Sequence, residues 1–215
     1  MLRNIVSNEL FTVLLVLGLV IVAIAKLTSP KRFEDFILVL GNNKYLKIYA
    51  RDQKFFDKFD GLLFVNLILS LSVFCFIIYQ YLTKTEQIPL DTLLKVAFVI
   101  GVFILIKVLI ERLIASLFEI DKLVDEYLFQ KITYKNYLGI LLLPVNALIL
   151  FTFTPTLTFF YVITILLLIV NIIGIISSFK THQSLIKNNL FYFILYLCAL
   201  EIAPYIILYK VFVTV

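Results

Sequence analysis

The sequence has one histidine, no tryptophan, two cysteines, five prolines and six glycines among 215 residues. Each shortage excludes something. A lone histidine, His182, removes most metal and acid–base schemes, which need convergent ligands or a base with an orienting partner. Six glycines supply little for nucleotide loops, and neither HExxH, GxSxG nor a zinc spacing occurs. Cys75 and Cys198 lie in apolar stretches with no CxxC pairing, so they read as small buried hydrophobes. Charge is scarce as well, with 15% of residues charged against about 25% in soluble domains. The expectation is a non-enzyme that uses no cofactor and no metal.

What is present is apolar: 62% of residues are hydrophobic, and the mean hydropathy is +1.06. A chain this short cannot bury so much apolar surface in one water-facing globule. A bilayer-crossing helix needs about 20 mostly apolar residues. Six stretches qualify, at about 10–25, 61–82, 90–118, 137–153, 157–178 and 191–213. The expected fold is an all-α, polytopic transmembrane bundle of six spans, a single domain over 1–215. The first stretch resembles a signal peptide ending in Ala23-Ile24-Ala25, but the dense basic segment behind it resists export. It is expected to stay as a span. Pro155 marks the turn between spans four and five and makes them antiparallel neighbours.

Lysine and arginine segregate by loop. Thirteen lie between spans one and two, three and four, or five and six, whereas only Arg3, Lys84 and Lys210 lie on the other side. The positive-inside bias therefore puts both termini outside the cytoplasm. The first cytoplasmic segment, 27–60, is expected to form surface helices. Ser29-Pro30 has the form of an N-cap followed by Pro at the first helical position, and Gly41-Asn42-Asn43 is a break. Beyond it Tyr45, Ile48, Tyr49, Phe55, Phe56 and Phe59 recur at helical spacing, with Lys44, Lys47, Arg51, Lys54 and Lys58 largely between them. That pattern predicts an amphipathic helix in the membrane surface, its cations on anionic lipid headgroups. Glu34, Asp35, Asp52, Asp57 and Asp60 dilute the positive charge. Lipid headgroups are thus the expected partner rather than DNA or ribosomal RNA. After span three, residues 118–128 keep a helical period, which predicts that span three continues into the cytoplasm. Its acids, among them Glu119, Asp121, Asp125 and Glu126, read as a solvated face.

The polar residues inside the spans are the candidate site. Lys107 lies near the middle of span three, with Glu111 and Arg112 one turn on; Asn66, Asn146 and Asn171 lie in spans two, four and five; Glu201 lies in span six. A charge at the bilayer centre costs about 2.5–3.5 kcal/mol on insertion scales, so each needs a partner or a purpose. Lys107 and Glu111 are spaced to share one helix face. Lys107 and Glu201 fall at similar depth, and Pro204 would open a polar notch beside Glu201 by freeing the carbonyl of Leu200. Such a site can clamp helices, receive a neighbouring subunit or pass a proton.

The segments Tyr134-Lys135-Asn136-Tyr137-Leu138-Gly139-Ile140-Leu141-Leu142-Leu143-Pro144 and Tyr196-Leu197-Cys198-Ala199-Leu200-Glu201-Ile202-Ala203-Pro204 carry a family likeness. They resemble an uncharacterised family of small multi-spanning inner-membrane proteins from one lineage of Gram-negative bacteria. The resemblance implies a polytopic inner-membrane protein with Pro144, Glu201 and Pro204 in its motifs. That lineage is rich in envelope secretion machinery. The expected function is therefore a docking subunit of a larger inner-membrane complex for protein translocation or secretion. The alternative is a small proton- or ion-coupled transporter using Glu201 and Lys107.

Overall fold

The computed structural model describes residues 9–42, 44–50, 57–84, 90–117, 121–152 and 156–181. These form α1 (Glu9–Thr28), α2 (Pro30–Ile37), a 3₁₀ turn (Leu38–Leu40), α3 (Lys44–Tyr49), α4 (Lys58–Thr83), α5 (Leu90–Leu117), α6 (Asp121–Phe151) and α7 (Leu157–Thr181). Among the described residues no strand occurs. Five helices, α1, α4, α5, α6 and α7, are long and apolar enough to cross a membrane. The sixth expected span, 191–213, lies outside the described residues.

The bundle is arranged around α4 and α6, which share the most extensive helix contact; α1 packs mainly on α4, α7 on α6, and α5 on both. Two asparagines define the register. Asn136 Nδ2 donates to the Asp60 carbonyl at 3.3 Å, and Asn146 Nδ2 donates to the Ser70 carbonyl at 2.8 Å, an offset of 76 residues in both cases. An unchanged offset ten residues further along means that α4 and α6 run parallel. On α4 the buried Leu63, Leu67, Ser70, Phe74 and Ile77 follow heptad spacing. Asn136, Gly139, Leu143 and Asn146 do the same on α6. This is the seam of a left-handed helix pair. At its closest point a Cβ at Gly139 would lie 2.6 Å from Leu67 Cα. Only glycine permits that approach. The same device seats α1, where a Cβ at Gly18 would meet Leu143 at 2.8 Å, and α7, where one at Gly174 would meet the Tyr134 ring at 2.7 Å.

Several expectations change. Helix α6 begins at Asp121, well before 137, so residues 121–136 extend span four and not span three. Their helical period is real; they belong to the other helix. Pro144 sits inside α6, where it removes the N–H that would bond the Ile140 carbonyl. The 44–59 stretch is not one amphipathic helix. Helix α3 stops at Tyr49, and Asp57 caps α4 by accepting from the Phe59 N–H at 3.3 Å. Of its aromatics, Tyr45 and Phe59 turn inward, whereas Phe55 and Phe56 lie outside the described residues. Tyr45, Leu46 and Phe59 are buried with Phe33, Phe36, Val39, Leu63 and Phe129. The bases of α4 and α6 supply a denser apolar partner than the membrane surface would. Ser29 precedes Pro30 at the start of α2 as expected, yet its side chain makes no capping bond. Cys75 is exposed on α4, whereas burial was expected; Cys198 lies outside the described residues. The outward faces of α1, α5 and α7 are aliphatic and aromatic, with Leu27, Phe98 and Leu117 each more than 70% exposed.

Gly139→Ala forces the α4 and α6 backbones apart and should destabilise by about 1–3 kcal/mol, the usual cost of overpacking. Gly61, with nothing within 4 Å of its Cβ position, is the control: Gly61→Ala should be neutral, or stabilise by up to about 1 kcal/mol through helix propensity. Thermal unfolding midpoints in one detergent compare the two; equal shifts would contradict the close-contact argument.

Candidate functional site

The charged residues within the bundle gather between α5 and α6. Lys107 is 7% exposed and Glu111 is fully buried. Their four-residue spacing puts them on one face of α5. Glu111 Oε1 accepts from Lys131 Nζ of α6 at 2.6 Å, and the ammonium lies 5.6 Å from the Tyr127 ring centroid. One turn nearer the α5–α6 connection, Arg112 Nε lies 3.5 Å from Asp125 Oδ1, with both side chains about 40% exposed. Val108, Ala115, Val124, Tyr127 and Leu128 form the apolar wall around these pairs. Opposite charges held this way fix the register of two antiparallel helices, and each removes part of the other's burial penalty. Asp125, expected on a solvated face, is therefore engaged with α5. Lys131, expected in a loop, holds a buried carboxylate.

At the α2–α3 end a second cluster forms around Arg32. Its guanidinium donates to Asp57, to Asp60 Oδ2 at 2.7 Å and to the Tyr45 hydroxyl at 3.2 Å. It also lies 4.8 Å from the Phe59 ring centroid and 5.0 Å from that of Tyr49. Burial opposes the Arg32 charge, but Tyr45 and the two carboxylates outweigh it, and its pKa ends above the usual arginine value. Burial pushes the Tyr45 phenol up as well. Arg32 thus stays a cation and Tyr45 a neutral hydroxyl across physiological pH. Planarity and a fixed donor fork suit arginine to this stacked, multiply bonded place. The cluster ties α2 and α3 to the first turn of α4.

The remaining candidates are dispersed. Asn146 is fully buried and binds the Ser70 carbonyl as described, whereas Asn171 Nδ2 turns back to the Leu167 carbonyl of its own helix at 3.3 Å. Lys44 is an exposed ion-pair partner of Asp35 at 3.0 Å. Lys47 and Lys58 are exposed. Arg51, Lys54, His182, Glu201 and Pro204 lie outside the described residues. Sequence reasoning missed Arg32 and Lys131 as organising residues. An arginine amid Phe33, Phe36, Tyr45 and Tyr49, with two aspartates three residues apart, was the available signal for the first. The helical period through 121–136 was the signal for the second.

These helices and their inward-turned charges define a multi-pass, all-helical membrane protein. Residues 11–212 match the profile of the family described as Domain of unknown function (DUF4271), and the chain belongs to that family. No curated protein and no solved structure matches it.

Glu111→Ala leaves Lys131 in the bundle without its carboxylate and should destabilise by about 3–5 kcal/mol, while Glu111→Leu combined with Lys131→Met should recover most of that loss. Chemical denaturation of the purified variants measures both. Arg32→Lys forfeits the three-way donor fork and the stacked contacts, at about 1.5–3 kcal/mol. Limited proteolysis should then cut faster between residues 30 and 57 while the long helices persist.

Proposed function

We propose that the chain is a non-enzymatic integral membrane subunit that docks onto a larger complex of the bacterial inner membrane, in the class of protein translocation or secretion machinery. One observation carries the non-enzymatic part. Several charged and amide groups of the bundle are turned on neighbouring helices: Glu111 on Lys131, Arg112 on Asp125, Asn136 and Asn146 on carbonyls of α4, and Arg32 on Asp57 and Asp60. Groups held in this way fasten helices and are not free to meet a substrate. The inner membrane and the secretory setting follow from the resemblance carried by the two sequence motifs. In this reading the termini face outward, as the lysine and arginine distribution requires. Lys44, Lys47 and Lys58, exposed near the α2–α3 end, meet anionic headgroups there together with Arg51 and Lys54.

A second reading is proton- or ion-coupled transport through Lys107 and Glu201. It draws support from Glu111, whose Oε2 is buried without a hydrogen-bond partner among the described residues, one turn from buried Lys107.

Extraction of the tagged chain into lipid nanodiscs, followed by cross-linking and mass spectrometry, tests the first reading. A membrane partner should copurify in fixed stoichiometry, and Glu201→Gln should weaken that association. A chain that remains a lone monomer, yet in proteoliposomes carries a proton flux abolished by Glu201→Gln, would replace the docking reading with the transport one.

A further inference from the structure

A groove opens on the outside of the bundle between the end of α1 and the start of α4. Its volume is about 430 Å³, and it is lined by Ile24 and Thr28 of α1 and by Lys58, Gly61, Leu62 and Val65 of α4. Gly61 makes the room: nothing lies within 4 Å of where its Cβ would be. The floor is apolar, and Ile24 and Val65 are each 45% exposed. The mouth is not. Thr28 Oγ1 spends its proton on the Ile24 carbonyl at 2.8 Å, which leaves the Lys58 ammonium as the donor there. Lys58 is exposed and has no ion-pair partner among the described residues. The nearest carboxylates in sequence, Asp57 and Asp60, are both held by Arg32. Lys58 and Val65 stand about 10 Å apart at helical rise, or about a third of the hydrocarbon core of a bilayer. The groove therefore leads from a cation at the membrane surface into the apolar interior.

We propose that this groove binds one anionic phospholipid, with its phosphate on Lys58 and one acyl chain along Gly61, Leu62 and Val65 against Ile24. Charge selects the lipid class. The ammonium is the one charged group in the lining, and an anionic headgroup adds an attraction that a headgroup of zero net charge lacks. Shape and polarity select a lipid over a protein segment. A volume of about 430 Å³ over about 10 Å gives a cross-section of roughly 40 Å², no more than about half that of a helix 10–12 Å across. An extended peptide would lay unpaired N–H and C=O groups on an apolar floor inside the membrane, where each costs several kcal/mol. An acyl chain carries no such groups. The site deepens the headgroup contact proposed above and rests on that reading, but not on docking to a complex.

The test places the full chain in nanodiscs of equal parts phosphatidylcholine and phosphatidylglycerol, one or the other bearing a photoreactive diazirine in its acyl chain. Mass spectrometry maps the labelled residues, a readout independent of whether any protein copurifies. Ile106 of α5 is the control. It is 51% exposed and stands about level with Asp60, because Glu111 meets Lys131 and Asn136 meets Asp60. The ratio of phosphatidylglycerol to phosphatidylcholine label at Leu62 and Val65 should exceed that at Ile106 several-fold. Lys58→Gln should bring this ratio down to the Ile106 value. Gly61→Leu fills the groove and should lower the phosphatidylglycerol label at Val65 several-fold without changing Ile106. Lys47→Gln, at an exposed cation outside the groove, should leave the ratio as it was. Equal ratios at Val65 and Ile106 would overturn the proposal, as would a ratio that survives Lys58→Gln or falls equally with Lys47→Gln, the mark of diffuse attraction. No lipid label at Leu62 and Val65 would overturn it too, and would mean that residues 191–213 or a second copy of the chain cover the groove.

Discussion

The contact between Gly139 and Leu67 is the constraint on which the rest of the bundle rests. Lipid tails are as apolar as leucine, so membrane helices are held together by van der Waals packing and interhelical hydrogen bonds rather than by the hydrophobic effect. Both terms fall steeply with distance. The absent Cβ at Gly139 lets two parallel helices approach until Asn136 and Asn146 reach carbonyls of α4. A wider separation would remove both bonds together. Asp60, whose carbonyl receives Asn136, also holds Arg32. The position of α2 and α3 is therefore inherited from the same contact.

Charge is used here for register more than for stability. A buried ion pair loses hydration about as fast as it gains attraction, so Glu111 and Lys131 add little net free energy over an apolar pair of similar shape. Their value lies in what a wrong arrangement would cost: with α5 slid by a turn, a fully buried carboxylate would face hydrocarbon. Arg32 differs. It lies outside the long apolar helices, its three donors each meet a different residue, and aromatic rings contact the guanidinium. It acts as the hub of a small aromatic core instead of a bridge between two helices.

Much of the frame was legible in the sequence because length and apolarity alone decide whether a segment can cross a bilayer. Helices α1, α5 and α7 begin within one residue of the expected spans. The start of α6 was not legible. Residues 121–136 include Asp121, Lys122, Asp125, Glu126, Lys131 and Lys135, and such a composition signals solvent unless the partners are known. Gln130, Thr133 and Asn136 are nevertheless buried there. Asn146 stood out as a polar residue in a span, but its acceptor is a backbone carbonyl, which every residue has. No side-chain pattern can name it. Likewise Lys107 and Glu111 were visible as a pair, while Glu111's cross-helix partner depended on which part of α6 packs against α5.

This distribution of polarity bears on where a docking surface would draw its specificity. The outward faces of α1, α5 and α7 present Val, Leu, Ile and Phe. A surface of that kind meets a lipid tail and a neighbouring helix with nearly equal affinity. The glycines that permit close approach at Gly18, Gly101, Gly139 and Gly174 are already turned inward against Leu143, Ile68, Leu67 and Tyr134. From the described helices, selectivity for a protein partner would then come from polar groups near the helix ends, where water competes and charge can discriminate. Among the described residues these include Lys47, Lys58 and the exposed Asp91–Lys95 pair. On the proposed docking reading, what the described helices contribute to partner selectivity stands at the rim of the membrane, and the candidate in its middle is Glu201 of the sixth expected span.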